Sequence, residues 1–294
     1  MKYAIVGASG FIGRHLLKRL KEQGHDVIGY DIHPCERTGV LPIDVCNDGI
    51  VIAPGTEVVV YLSQSPHYRS FPEQADNLFG VNVVGAARVA AAAKKSGARL
   101  FVYASTGNVY TDSFAAMNEQ TPLRRDNAYA LSKVMGEDVV GAIAGEMQTL
   151  TIRIFGAFGP GQENMLVPGL AGRIKKQQAI TLQRHPANIE DEGGLVVSLI
   201  YINDLLSGLE ALIGGMLSGT IRDNVINVGG PNGVSIREIG MGIGQALGIE
   251  PIFELAEATR PFDLIADVKR LCSLVDISFT SLSKALQETV NSHE

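Results

Sequence analysis

Short apolar runs alternate with longer helix-patterned segments through the first two-thirds of this chain, and that alternation restricts the fold more than any other feature. "KYAIVG" reads as a strand and "FIGRHLLKRLKEQG" as an amphipathic helix closed by Gly24, with "DVIGYD" and "EVVVYL" as the next strands. "EQADNLFGVNVVGAARVAAAAKKSG" reads as one long helix, "RLFVYAS" as a strand, residues 127–146 as a helix and "QTLTIRIF" as a further strand. Strands that are apolar throughout are covered on both faces, and intervening helices supply the crossovers that parallel strands require.

After residue 156 the pattern changes. Gly and Pro become dense in "GAFGPGQENMLVPG", and "LQRHPANIEDEGG" reads as a polar loop. "LVVSLIYI" and "NVINVG" read as strands that rejoin the sheet, with a helix at about 204–214 between them. The expected class is therefore α/β, a doubly wound parallel sheet of the Rossmann type with a smaller C-terminal substrate-binding lobe.

The stretch "GASGFIG" (Gly7, Ser9, Gly10, Phe11, Ile12 and Gly13 among its members) follows the first strand and opens the first helix. Glycines at GxxGxxG spacing permit a tight turn and a close backbone approach to a pyrophosphate, which then rests on the helix N-terminus. The second strand ends on Asp31. A carboxylate there accepts hydrogen bonds from ribose hydroxyls and repels a 2′-phosphate, which favours NAD over NADP; a turn-capping role is the alternative. Asp44, with Val45 in "PIDV", lies where a further strand would end and is placed near the adenine. The expected domains are 1–165 plus about 196–230 for NAD, and about 166–195 with 231–294 for the substrate-binding lobe.

"NAYALSKVMGE" puts Tyr129 and Lys133 at i and i+4, one above the other on a helix face. A phenol near pKa ~10 is a poor base at neutrality, and bringing it to about 7 takes roughly 4 kcal/mol of differential stabilisation. A neighbouring ammonium favours the phenolate, which could take the proton from a substrate hydroxyl. A core Tyr beside a surface Lys is the alternative reading.

Bulk properties exclude other classes. The 294 residues are 46% hydrophobic and 19% charged, a globular composition, and the formal net charge of −6 argues against nucleic-acid or anionic-membrane partners. "MKYAIVG" is too short for a signal peptide, and no run reaches the ~18 apolar residues of a membrane span. Cys35, Cys46 and Cys272 form no CxxC, which points to a reducing, cytoplasmic setting. His33 near Cys35 and Cys46 fits no zinc spacing, so no metal is expected. There is no GxSxG nucleophile elbow.

Taken together, "GASGFIG", Asp31, "YLSQ", "VNVVGAARVAAAA", "STGNVY", "NEQTPLRRDNAYALSK", "RIFGAFGPGQ", "LIYINDL", "INVGGPNGVSIREI" and "RPFD" resemble the extended short-chain dehydrogenase/reductases, specifically the NAD-dependent epimerase/dehydratases acting on nucleotide sugars. The resemblance covers nearly the whole chain. It implies that Thr106 hydrogen-bonds the reacting sugar hydroxyl, with Ser105 its less direct neighbour, that Asn82 and Phe155 lie by the cofactor, and that Leu62, Ser63 and Gln64 pass its phosphates and ribose. Asn108 and Gly156 would adjoin the substrate. Arg260 of "RPFD" would contact a diphosphate, its fork geometry donating to two oxygens; an ordinary surface ion pair is the alternative.

Three departures are informative. Sugar 4,6-dehydratases of this resemblance carry Asp–Glu after that Thr; here the positions are Gly107 and Asn108, neither of which ionises, so dehydration is disfavoured. Gly156 and Val197 stand where many relatives have Asn and Arg, with Arg184 a candidate replacement for the latter. The leading expectation is an NAD-dependent epimerase of a nucleoside-diphosphate sugar working through a transient ketone. A ketosugar reductase or sugar dehydrogenase, and a non-catalytic dinucleotide-binding regulator, stand as alternatives. The resemblance also implies a homodimer paired through the helices at 73–96 and 127–146.

Overall fold

The computed structural model describes residues 1–291. Seven strands form one sheet: β1 (Lys2–Val6), β2 (Asp26–Asp31), β3 (Val40–Pro42), β4 (Val58–Tyr61), β5 (Leu100–Thr106), β6 (Gln148–Ile154) and β7 (Val225–Val228). Their spatial order is β7-β6-β5-β4-β1-β2-β3, the doubly wound order in which the chain reverses direction beside β1. β1 pairs in parallel with β2 (Val6 opposite Tyr30) and with β4 (Val6 opposite Tyr61), so the loops after β1 and β4 leave the sheet side by side. All seven residues of β5 are buried, as its unbroken apolar run requires.

Helix α1 (Phe11–Glu22) buries Leu16, Leu17 and Leu20. The segment expected to be one helix is α2 (Ala75–Phe79), a π-helical turn Gly80–Gly85, and α3 (Ala86–Ser96). The π turn has a local cause. Tyr61 and Tyr103, stacked on adjacent strands with ring centroids 5.9 Å apart, donate their hydroxyls to the carbonyls of Val81 (2.6 Å) and Asn82 (3.1 Å). Carbonyls so satisfied can leave the regular helical ladder. Helix α4 (Ala128–Ala144) starts where Asn127 accepts from the amide of Ala130, and its Gly136 lets it lie on β5, since a Cβ there would fall 2.1 Å from the Tyr103 hydroxyl. The "GAARVAAAA" stripe is consumed within the chain: Ala86, Val89, Ala90 and Ala93 are fully buried against Tyr61, Phe101 and Tyr103.

The chain divides into two compact units, the first holding residues 1–110, 122–153 and 210–226, the second 111–121, 154–209 and residues from 227 on. This differs from the expected boundaries at 165 and 196 for a clear reason. "LVVSLIYI" does not rejoin the sheet. Val196–Ser198 pairs antiparallel with Gly233–Ser235, and Ile200–Tyr201 pairs with Ala157–Phe158. Residues 113 and 117 bridge to Asp263 and Ala266, which draws 111–121 into the second unit. The second unit's helix Ile236–Leu247 begins with a full capping box between Ser235 and Glu238.

Candidate active site

The glycine loop follows β1 in the first unit. Gly7 has φ +91°, and a Cβ there would fall 2.7 Å from the Ser63 amide nitrogen; one on Gly13 would fall 2.1 Å from the Gly7 carbonyl. These two glycines therefore pack the loop against the Leu62–Ser63 segment and α1 against its own entry. Gly10 differs. It is exposed, and an added Cβ would meet only the Gly7 carbonyl, at 3.3 Å. As the N-cap of α1 it supplies no side-chain cap, so the first-turn amides of Phe11 and Ile12 have no side chain on them. An open glycine before an uncapped helix start suits a pyrophosphate.

Asp31 ends β2 half-buried, its carboxylate accepting from the amides of Ser9 and His33, each at 3.0 Å. A carboxylate offers about four lone-pair sites, so two stay available to a ribose diol. The donor set fits NAD. The Ser9 hydroxyl itself is committed to the His33 carbonyl at 2.7 Å. Asp44 instead closes its own turn, accepting from the Cys46 amide (2.9 Å) and the Asn47 side chain (3.1 Å), while Val45 is core.

The chemistry-bearing groups meet at the C-terminal end of β5. Thr106 Oγ1 accepts from Asn108 twice, from its backbone N–H at 3.2 Å and its side-chain amide at 3.1 Å, in a one-turn 3₁₀ helix, Gly107–Val109. The Tyr129 hydroxyl donates to Gln64 Oε1 at 2.8 Å, and its ring lies tilted against Tyr68 at 5.1 Å. Burial pushes the Tyr129 phenol well above its ordinary range, a hydrogen bond with Thr106 pulls it down, and Tyr68 pushes it up again. The lowering expected from Lys133 is therefore not achieved by the protein's own groups. Lys133 is buried, its Nζ donates to the Ala104 carbonyl at 2.6 Å and lies 4.9 Å from the centre of the Tyr103 ring.

Burial pushes the Lys133 ammonium down to about 8, with the Glu137 carboxylate opposing. A lysine depressed in the folded state subtracts from stability while it is charged in both states. That loss is relieved between about pH 8 and 10.5, where only the unfolded chain keeps the proton. Urea melts of the wild type and Lys133→Met at about pH 7 and about pH 10.5 should show the difference moving in the wild type's favour by roughly 2–3 kcal/mol.

Several expected contacts take other roles. Ser105, adjacent to Thr106 on β5, donates its hydroxyl to Glu137. Arg153 grips the same carboxylate with Nε (3.1 Å) and Nη2 (2.6 Å) and gives Nη1 to the Tyr110 hydroxyl at 3.0 Å. This cluster was not anticipated, though two signals were present: Glu137 is i+4 from Lys133, and a lone charge in "TLTIRIF" needs a buried partner. Asn82 is fully buried, accepting from the Ser65 amide (3.1 Å) and donating to Ser132 (2.9 Å), so it fastens the loop after β4 to α4 and is closed off from the surface.

In the second unit, Phe155 is fully buried core, which removes its ring from any surface. Gly156 has φ +49°, and a Cβ would fall 2.7 Å from the Ser198 carbonyl, so the glycine answers to packing. Arg260 does not present a free fork. It is 4% exposed and bound by Asp263 (Nε, 2.7 Å; Nη2, 3.2 Å), Asp191 (2.6 Å) and the Gln183 carbonyl. Arg184 is held loosely by Glu192 at 3.7 Å. Among the described residues no helix is long and apolar enough to cross a membrane, and no group of three or more His, Cys, Asp or Glu could hold a metal.

A glycine loop, a strand-terminal Asp and a Tyr–Lys helix pair on a doubly wound sheet define the extended short-chain dehydrogenase/reductase class. The profile of the NAD dependent epimerase/dehydratase family matches residues 3–229; the chain belongs to that family, whose cofactor is NAD, and is an enzyme of it. It is 25% identical to a Bacillus subtilis protein described as an uncharacterized UDP-glucose epimerase, YtcB, over 99% of this chain and 97% of that one. It is 27% identical to the UDP-glucose 4-epimerase of Mycolicibacterium smegmatis over 86% and 85% of the two chains. The fold superposes on Bacillus cereus UDP-glucuronic acid 4-epimerase, solved with UDP-glucuronic acid and NAD, with TM-score 0.80 and 23% identity over 99% of this chain and 98% of that one.

Proposed function

We propose that the protein is an NAD-dependent epimerase of a nucleoside-diphosphate sugar. The observation that carries this reading is the Tyr129–Lys133 pair of α4, with Lys133 anchored on β5 just before Thr106, in the same unit as the glycine loop and Asp31. Gly7, Gly10, Gly13, Asp31, Leu62 and Ser63 would hold the dinucleotide, which when bound oxidises the carbinol carbon and then reduces the ketone from its other face. Thr106, its oxygen already filled by two Asn108 donors, has its proton free to orient a substrate hydroxyl. Tyr129 takes the proton of that hydroxyl and gives it back in the reverse step. Lys133, anchored on the β5 backbone, would hold the cofactor ribose beside Tyr129.

Gly107 and Asn108 cannot supply the acid and base of an elimination, which supports epimerisation over dehydration. The sheet-borne site and the relatives named above support a uridine diphosphate sugar as the first substrate to try. Exposed Val84 and Met135 support pairing of two copies through the α2–α3 and α4 segments. The test is to denature the purified protein, identify the dinucleotide released, and follow UDP-, dTDP-, GDP- and CDP-sugars by NMR. One of them should change configuration at a single carbon with no net reduced cofactor. Stoichiometric consumption of NADH would replace this reading with a one-way reductase.

A further inference from the structure

The resemblance assigns residues 62–64 to cofactor contacts, yet the Gln64 side chain is turned to the reacting phenol. Its Oε1 accepts the Tyr129 hydroxyl at 2.8 Å. The direction of the surrounding hydrogen bonds is fixed by chemistry. The backbone N–H of Asn108 can only donate, and with its side-chain amide it fills both acceptor sites of Thr106 Oγ1. The phenol proton is directed at Gln64, and the Thr106 proton is not spent on Asn108. The same loop brings Tyr68 against the Tyr129 ring, with the Arg69 guanidinium 5.1 Å from the centre of the Tyr68 ring.

We propose that Gln64 is a positioning residue of the reaction: its carboxamide oxygen accepts the Tyr129 hydroxyl proton in the resting protein and so fixes the direction of the phenol, which must give up that proton before it can take one from the substrate hydroxyl. The inference rests on the reading of Tyr129 as the acid–base group. An acceptor bonded to the neutral phenol also stabilises that form, so Gln64 opposes ionisation. The other ionisable groups around the phenol are Tyr68 and Arg69 in the loop, Tyr103 on β5, and Lys133 followed by Glu137 along α4. None of them changes when residue 64 is exchanged. Gln64 is exposed, so the exchange leaves the fold intact.

The experiment compares wild type, Gln64→Leu and Gln64→Glu, all loaded with NAD. Tyrosinate ultraviolet absorbance is titrated with Tyr129→Phe as the blank, alongside the pH profile of kcat/KM. Leu keeps the bulk and removes the acceptor, so the Tyr129 midpoint should fall by about half to one pH unit, a shift of roughly 3–10-fold in its ionisation constant. Glu adds a charged acceptor and should raise the midpoint by about one unit. Opposite shifts support the assignment, because a purely structural role would not change sign between the two variants. Unmoved midpoints, or a rise in Gln64→Leu, overturn it. The titration needs no sugar, so it can succeed while a failed sugar screen rejects the epimerase reading, and the reverse.

Discussion

Tyr129→Phe should lower kcat/KM on the sugar substrate by roughly 10²–10⁴-fold, the usual worth of a positioned acid–base group. The ring would remain against Tyr68, and only the oxygen that donates to Gln64 would be lost. Removing one such hydrogen bond costs about 1 kcal/mol of stability. The variant should therefore fold and retain its dinucleotide while turning over very slowly. Steady-state rates, together with the amount of cofactor released on denaturation, separate loss of chemistry from loss of the site. Unchanged turnover would remove Tyr129 from the mechanism.

Glu137→Ala should be the most damaging single change to stability. It leaves the Arg153 guanidinium, 5% exposed in its side chain, without the carboxylate that takes two of its nitrogens. Breaking a buried pair from one side costs about 3–5 kcal/mol, and Ser105 also loses its acceptor. The double substitution Glu137→Leu with Arg153→Leu should recover a large part of that loss, since an apolar pair of similar volume replaces a buried ion pair at little cost. Urea midpoints of the three proteins check this. A single variant within about 1 kcal/mol of the wild type would mean that water reaches the pair. Because Ser105 and Thr106 are consecutive on β5, the cluster also fixes the strand whose next residue is Thr106.

The parts of this architecture that rest on local rules were legible in the sequence. Parallel strands, the loop between β1 and α1, Asp31 at the end of β2 and Tyr129 over Lys133 follow from period, glycine spacing and i, i+4 geometry. What depended on distant partners was not. Arg260 looks the same in sequence whether it meets a diphosphate or Asp191 and Asp263, and only the fold brings those carboxylates to it. Phe155 and Asn82 carry no mark of their complete burial, and "LVVSLIYI" none of its preference for Gly233–Ser235 over the main sheet. The direction of the Gln64 side chain likewise depends on a helix 65 residues away.

The most direct measurement uses a nucleotide sugar deuterated at the reacting carbon, with its fate followed by NMR and mass spectrometry. If Tyr129, Thr106 and the dinucleotide act on one carbinol as argued, the product is the epimer with its deuterium retained on the same carbon and no reduced cofactor accumulating. Deuterium lost to water, or left in free reduced cofactor, would contradict the account.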